Sequence, residues 1–103
     1  MEALKTALES TGLPVTYYAW DEDEEYVPAL PFICYLFAED NPLYADGGVY
    51  YNSADMLVEL YTAFKDPATE KKVEAALRAY HWKKREDYID AEKCFLIRYE
   101  IEV

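Results

Sequence analysis

The sequence has few of the residues from which common catalytic and metal sites are built. It contains one histidine, His81, and two cysteines, Cys34 and Cys94, which lie far apart in apolar segments. One imidazole and two separated thiols do not supply the ligands of an ordinary zinc site. No serine or cysteine has the surroundings of an activated nucleophile. We therefore predict no catalytic residue, no metal and no cofactor, and we expect both cysteines to be buried, reduced thiols.

Long apolar runs and a surplus of basic residues are lacking as well. The longest apolar run, residues 27–38, contains two prolines and is too short to span a bilayer. No apolar segment follows Met1-Glu2, so no signal peptide is expected. The chain has 21 acidic and 10 basic residues, which give a net charge of −11. This charge disfavours direct binding to nucleic acid or to an anionic membrane surface.

Apolar and aromatic side chains are abundant. Hydrophobic residues make up 52% of the 103 positions, which suits a single domain, 1–103, with one modest core. The chain has eleven tyrosines. Seven of them fall on predicted strands: Tyr17, Tyr18, Tyr35, Tyr50, Tyr51, Tyr61 and Tyr99. A small core cannot provide a hydrogen-bond partner for every buried phenol, so we expect surplus aromatic surface to meet protein partners.

Two helices are predicted. Residues 1–11 show apolar residues at helical spacing, and Gly12 is placed to end the helix. The second helix begins with Asp66 as N-cap and Pro67 as its first residue. Its predicted buried stripe consists of Val73, Ala76, Leu77 and Tyr80. The basic residues expected near its C-terminus, where they complement the helix dipole, are Lys83, Lys84 and Arg85.

Four strands are predicted, at residues 15–20, 31–40, 49–64 and 94–103, with a kink near Asn52-Ser53 in the third. The second is apolar on both faces, which is typical of a central strand. The segment 86–93 is predicted as a turn or a short edge strand. The order is α-β-β-β-α-β, which predicts an α+β, two-layer domain with a mainly antiparallel sheet and two helices packed on one face.

A run of five acids, Asp21–Glu25, stands directly before the most apolar segment. A solvated loop, an electrostatic surface for a partner and a divalent-cation site are all compatible with it, although the run lacks the ligand spacing of a calcium loop. The loops 21–30 and 40–48 are rich in residues that favour loops, so we expect them to carry docking. The candidate interface residues are Asp21, Glu22, Asp23, Glu24, Glu25, Asn41, Tyr44, Asp46 and Tyr50.

The overall pattern resembles a known family. A first helix ends in "TGLPVTYYAW"; "PFICYLFAEDN", "YADGGVYYN" and "VELYT" follow, then "DPATEKKVEAALRAYHWKKREDYID" and a final "IRYEIEV". Over nearly the full chain this is similar to the tail terminator, tail completion or head–tail joining proteins of siphophages of Gram-positive bacteria. The shared features are the hydrophobic pattern and the positions of loop residues, without a catalytic signature.

The resemblance implies a structural protein of the virion. Such a protein would be made in the cytoplasm of the host bacterium and would sit at the head–tail junction. It would form a ring, usually a hexamer, that caps the tail tube and contacts the tail-tube protein and the head connector proteins. No binding residue of the family transfers onto a position of this sequence.

A second class of function shares the net charge of −11. An acidic interaction module that mimics DNA would inhibit a nucleic-acid-binding protein. Such a mimic should spread carboxylates along helix faces at the spacing of phosphates. Here the densest acidic cluster is a single predicted loop, and the second predicted helix carries six basic residues. This distribution favours the assembly protein.

Overall fold

The computed structural model describes residues 2–17, 29–38, 55–91 and 93–102 of the chain. Over these ranges two helices and five strands follow one another as α-β-β-β-α-β-β. The helices are α1 (Glu2–Glu9) and α2 (Pro67–Ala76); the strands are β1 (Val15–Tyr17), β2 (Phe32–Phe37), β3 (Met56–Thr62), β4 (His81–Ile89) and β5 (Cys94–Glu102). The α+β class is confirmed, with one strand more than the sequence predicts.

The strands form one sheet in the order β1-β2-β3-β5-β4. Strand β2 pairs with β1 in parallel and with β3 antiparallel, and the two pairs that involve β5 are also antiparallel. The mainly antiparallel sheet is therefore confirmed. Strand β2 lies between two others, as its two apolar faces predict. The predicted kink near Asn52-Ser53 lies outside the described residues.

Helix α1 ends two residues earlier than predicted. The hydroxyl groups of Ser10 and Thr11 donate to the carbonyl oxygens of Ala7 and Leu8, at 2.5 and 2.6 Å. The same two carbonyl oxygens also accept from the backbone amides of Ser10 and Thr11, at 3.2 and 3.1 Å, so the last turn is closed by i→i+3 bonds. Gly12 follows with a φ of +82°, the left-handed conformation that favours glycine. The predicted glycine stop is confirmed.

Helix α2 starts as predicted and ends much sooner. The carboxylate of Asp66 accepts from the backbone amide of Thr69 at 3.2 Å and from its hydroxyl at 2.6 Å, and Pro67 is the first helical residue. The helix ends at Ala76, however, and residues 81–89 form β4. The prediction that the basic residues Lys83–Arg85 lie at the end of this helix is wrong.

Pairing with β5 explains why the helix does not continue. All nine residues of β4 pair with β5, from His81 opposite Glu102 to Ile89 opposite Cys94. The aromatic ring of Trp82 packs edge-on against the ring of Tyr99, with the ring centroids 5.3 Å apart. Sheet pairing and this aromatic contact are long-range interactions, and they override the helix propensity of the local sequence.

One face of the sheet and the two helices enclose the hydrophobic core. Leu4 and Leu8 of α1 pack there with Val73 of α2 and with Leu77, which directly follows α2. The sheet contributes Ile33, Tyr35, Met56, Val58, Leu60, Ile97, Tyr99 and Ile101. This arrangement confirms the prediction of two helices on one face. Ala76 and Tyr80 of the predicted stripe are only half-buried, because the helix ends at Ala76.

Strand β5 lies inside the sheet between β3 and β4. The alternation of the sequence predicts an apolar face made of Phe95, Ile97, Tyr99 and Ile101. The last three are 0% exposed and Phe95 is half-buried. The same alternation predicts that Arg98, Glu100 and Glu102, on the other face, meet solvent or a partner. Glu102 is exposed, but Glu100 is buried, since it lies opposite Leu57 on β3 and Lys83 on β4.

Cys34 on β2 and Cys94 on β5 are not joined in a disulfide. Both are buried, with 3% and 2% of their surface exposed. The prediction of buried, reduced cysteines is confirmed. Thiols of this kind pack as small apolar side chains in the sheet.

Because β5 lies inside the sheet, truncating one of its core side chains should destabilise the fold strongly. We expect Ile97→Ala to lower the free energy of unfolding by about 2–5 kcal/mol, because a cavity would remain among side chains that cannot close it. Glu102→Ala, on the exposed end of the same strand, should change it by less than about 0.5 kcal/mol. Urea denaturation measures both. Equal effects of the two substitutions would contradict this placement of the core.

Candidate functional site

The candidate interface residues predicted from the sequence all lie outside the described residues. These residues are Asp21–Glu25, Asn41, Tyr44, Asp46 and Tyr50. Of the two predicted docking loops, only Ala29 and Leu30 at the end of the first are described. The role of both loops stays a prediction.

Strand β4 forms one edge of the sheet, and it is the most exposed element of the described fold. Residues 83–88 are all exposed, although the side chain of Lys84 is only 33% exposed. The first half of this stretch is basic, Lys83–Arg85, and it is followed directly by Glu86 and Asp87. Within the described ranges, β5 is the strand with which β4 pairs. The strand therefore presents charged side chains of both signs along an edge.

On the helix side, ion pairs connect β4 to α2. The Nζ atom of Lys84 lies 2.5 Å from Glu70 Oε1 and 2.8 Å from Glu74 Oε2. Lys65, just after β3, approaches the other oxygen of Glu70 at 2.8 Å and also contacts Glu86. Three carboxylates thus share two ammonium groups. The cluster links α2, the β3–α2 connection and β4.

The ion pairs determine the ionisation of this cluster. Burial pushes the pKa of Glu70 upward, but hydrogen bonds from Lys65 and Lys84 outweigh it and hold the pKa below its ordinary value. Burial pulls the pKa of Lys84 down, yet Glu70 and Glu74 raise it above the usual range. Hydrogen bonds to Glu70 and Glu86 raise the pKa of Lys65. All three groups are therefore charged at neutral pH.

Tyr99, on β5, also contacts this cluster. Its hydroxyl donates to Glu74 Oε2 at 2.8 Å, and its ring is fully buried. Burial, and then the hydrogen bond to the Glu74 carboxylate, raise the pKa of the phenol far above its ordinary value. The phenol stays protonated and acts as a hydrogen-bond donor. The cluster is consequently a network of ion pairs and a hydrogen bond that stabilises the fold.

The opposite face of the sheet carries a second polar network. Arg98 donates from Nε and Nη2 to Glu59 Oε2 at 2.9 and 2.7 Å, and the Tyr61 hydroxyl lies 3.2 Å from Oε1 of the same carboxylate. Burial, and then the charge of Glu59, raise the pKa of Tyr61. Next to this network, Arg85 Nε lies 2.5 Å from Glu100 Oε2. Both buried carboxylates are thus paired with guanidinium groups.

These two networks do not form a catalytic arrangement. The carboxylates of Glu59, Glu70 and Glu100 are each bound by a cation, as structural carboxylates are. His81 is exposed at the start of β4. Over the described ranges, no group of three or more histidine, cysteine or acidic residues is placed to hold a metal ion.

A shallow, open depression lies between the end of α1 and α2. It is lined by Ser10, Thr11, Lys72, Ala75, Ala76 and Arg78. Its side chains are small, hydroxyl-bearing or cationic, so this depression does not combine an acid with a base. Its chemistry does not identify a substrate.

Aromatic side chains are exposed at both ends of the sheet. Tyr17 on β1 is 41% exposed and Phe37 on β2 is 37% exposed, with their ring centroids 6.3 Å apart. Phe64, after β3, is 65% exposed, and Tyr88 on β4 is 45% exposed. Exposed aromatic rings of this size are enriched at protein–protein interfaces. They fit the expectation that some aromatic surface meets a partner.

Sequence reasoning allowed a turn or short edge strand at 86–93 but missed the first half of β4, which begins at His81, although the sequence contains a signal for it. Tyr80, His81 and Trp82 are three consecutive residues that disfavour a helix interior relative to alanine, and Tyr88-Ile89 closes the segment. The five charged residues between Trp82 and Tyr88 obscured this signal, because such residues are common on exposed helix faces. The partner strand is what resolves the ambiguity.

The ion-pair cluster predicts a stability that depends on pH. We expect Lys84→Met to lower the free energy of unfolding at pH 7 by about 1–2 kcal/mol, since Glu70 and Glu74 lose their shared cation while Lys84 itself is partly exposed. The folded-state pKa of Glu70 is lowered, so this stabilisation is present above its unfolded pKa and is lost as the pH falls through the folded pKa.

Urea denaturation of Lys84→Met and wild type at pH 7 and in the acid range tests this prediction. The difference between the two proteins should shrink as the pH falls. Lys71→Met, on an exposed position of α2, is the matched control and should have little effect at either pH. A difference that is equally large at both pH values would show that Lys84 stabilises the fold by packing alone.

Comparison with known proteins adds no relative to this picture. No helix among the described residues is long and apolar enough to cross a membrane. No protein-family model, curated protein or solved structure matches the chain.

Proposed function

We propose that this protein is a non-catalytic subunit of an oligomeric assembly, in which it acts as a phage tail terminator or head–tail joining protein. It would cap the tail tube or join tail to head as a ring. Its partners in this proposal are copies of itself, the tail-tube protein and head connector proteins. The resemblance of the sequence to that family motivates the specific role. The exposed aromatic side chains of the fold support the more general one.

The observation that carries the proposal is the aromatic surface that the core leaves exposed. Tyr17 and Phe37 form an edge-on pair at one end of the sheet, and Tyr17 also packs against the buried ring of Tyr35 at 5.4 Å. At the opposite edge, Tyr88 packs against Phe95 at 5.0 Å. A subunit inside a ring needs two different contact surfaces, one for each neighbour. Aromatic side chains at opposite ends of the sheet meet that requirement.

The net charge of −11 is compatible with a ring through which DNA passes. Repetition of an acidic subunit around a ring gives a negative rim or lumen, and DNA carries one negative charge per phosphate. Like charge along the path would keep DNA from adhering as it moves. The acidic run Asp21–Glu25 supplies five of these charges, and in this proposal it faces either the lumen or a docking partner.

Repulsion between acidic subunits predicts how ring formation depends on salt. The screening length falls from about 14 Å near 0.05 M salt to about 4 Å near 0.5 M salt, so repulsion between neighbouring subunits weakens. We expect the fraction of species larger than a dimer to increase over this range. Sedimentation velocity at both salt concentrations measures it. Dissociation of the ring on raising the salt would contradict the proposal.

The acidic run gives a second test. We expect a variant in which Asp21–Glu25 are replaced by the corresponding amides to remain folded, because five consecutive charges of one sign mainly repel one another, and to join tails to heads poorly. The assembly titre in a complementation assay measures joining, and circular dichroism checks the fold. The matched control replaces Glu9 and Glu102, which are exposed elsewhere, by glutamine. An unchanged titre would remove the run from the mechanism.

The DNA-mimic alternative makes a different prediction for the same samples. A mimic acts as a monomer or dimer and competes with DNA for binding to a basic protein. Neutralising its acidic residues should therefore abolish that competition. The described fold places Lys84 and Arg85 of β4 in contact with carboxylates of α2 and β5, rather than presenting a continuous acidic face. We therefore favour the assembly protein.

A further inference from the structure

The charged residues of strand β4 follow a pattern that the proposed ring does not require. Its central residue is Arg85, with four residues on either side within His81–Ile89. The residues before the centre, Lys83 and Lys84, are basic, and those after it, Glu86 and Asp87, are acidic. A strand with this pattern is complementary in charge to an antiparallel copy of itself.

We propose that a second copy of this chain pairs antiparallel with β4, with Arg85 of the two copies opposite each other on a two-fold axis. The two five-stranded sheets would then form one continuous sheet. This proposal goes beyond the assembly function above and does not depend on it, because a two-fold contact closes after two copies and does not by itself form a ring.

The two-fold axis restricts the possible registers. In an antiparallel pair, residues directly opposite each other point to the same face of the sheet. Residues 83, 85 and 87 share one face, since their partners on β5 are Glu100, Arg98 and Leu96. Residues 82, 84, 86 and 88 share the helix side, where Lys84 contacts α2. A two-fold contact must therefore pair odd positions with odd ones and even positions with even ones.

Among the permitted registers, the one centred on Arg85 pairs the whole strand and matches its charges. It places Lys84 opposite Glu86 of the second copy on the helix side, and Lys83 opposite Asp87 of the second copy on the other face. Because of the symmetry, each of these ion pairs occurs twice. Opposite charges directly across two strands stabilise the pairing, and like charges destabilise it.

The ends and the centre of the strand are compatible with this register. Trp82 would lie opposite Tyr88 of the second copy, and aromatic cross-strand pairs are favourable. At the centre two Arg85 side chains would approach each other, but each is held by Glu100 of its own chain. Each copy thus brings a neutralised pair to the axis.

The neighbouring registers fit less well. Shifting the axis to Lys84 places that lysine opposite its own copy and Lys83 opposite Arg85, which are like charges. Shifting the axis to Glu86 creates the pair Arg85–Asp87 but sets Glu86 against its own copy. Only the register centred on Arg85 combines two kinds of opposite-charge pair with an aromatic pair.

The usual role of charged side chains on a sheet edge is to prevent pairing with another chain. That protection works when the charges of two copies repel each other. In β4 the two halves have opposite sign, so an antiparallel copy is attracted in one register and repelled when the axis moves to Lys84. The charges consequently select a partner and a register.

A charge-exchange experiment on the full chain tests the pairing. We expect wild type to form a dimer that dissociates on dilution, because a single strand from each copy is a small interface. Lys83→Glu or Asp87→Lys alone should weaken the dimer about tenfold, since two attractive pairs become repulsive. The double variant Lys83→Glu/Asp87→Lys restores opposite charges and should return to within about threefold of wild type.

Sedimentation equilibrium at a fixed salt concentration gives the dissociation constants, and thermal unfolding confirms that each variant is folded. Lys71→Glu and Glu9→Lys, on exposed positions of the helices, make the same changes in net charge and should leave the dimer unchanged. A wild type that is monomeric at all concentrations overturns the proposal. Higher oligomers that none of the β4 substitutions affects also overturn it, while leaving the ring intact.

Disulfide crosslinking provides a readout that does not depend on charge. With oxidised glutathione as the oxidant, the variant Lys83→Cys/Asp87→Cys should form covalent dimers, because position 83 lies opposite position 87 of the second copy. Within one strand these positions are about 13 Å apart, too far for an internal disulfide. The single variants Lys83→Cys and Asp87→Cys are the controls. Crosslinking of the double variant no faster than that of the single variants overturns the register.

Discussion

The pairing of β4 with β5 is the interaction on which the rest of the described structure depends. It withdraws residues 81–89 from a possible continuation of α2 and adds them to the sheet as its outer strand. In that position Lys84 lies below α2 and bridges Glu70 and Glu74, while Trp82 covers the ring of Tyr99. The same pairing leaves the far edge of β4 and its charged side chains at the surface. One set of backbone hydrogen bonds therefore determines the end of the helix, the ion-pair cluster and the candidate interaction surface.

The distribution of charge follows from the cost of burying carboxylates. Glu59, Glu70 and Glu100 are buried, and each is held by at least one cation. Four of the ten basic residues, Lys65, Lys84, Arg85 and Arg98, are used in these ion pairs. An unpaired buried carboxylate would be costly, so these basic residues are required by the fold. The acidic surplus that gives the net charge of −11 must then be carried by other side chains, among which the run Asp21–Glu25 is the densest in the sequence.

The two proposals use different surfaces and different symmetry. A ring needs two unlike contact surfaces, for which the exposed aromatic side chains at the two ends of the sheet are candidates. The pairing at β4 is a contact of one surface with its own copy, and it is complete with two subunits. Tyr88 belongs to both candidate surfaces, so the dimer and a ring that uses Tyr88 would exclude each other at that position. In that case the dimer would hold subunits apart from the ring until a tighter partner displaced the second copy.

The sequence alone determined the parts of this protein that depend on near neighbours. Gly12 ends α1 and Asp66 begins α2, because a left-handed glycine and an N-cap carboxylate act on residues within one turn. Alternation of apolar residues determined the buried face of β5, and the two apolar faces of β2 indicated its place inside the sheet.

Only the tertiary structure decided whether residues 81–89 form a helix or a strand, and whether Glu100 is buried. Both depend on pairing with strands that lie elsewhere in the sequence. A local pattern of Lys, Arg, Glu and Asp suits an exposed helix and an exposed strand equally well, and pairing with β5 determines which of them forms. The same limit applies to the carboxylate of Glu70: its neighbours in the sequence do not show that two lysines from outside its helix hold it in the core.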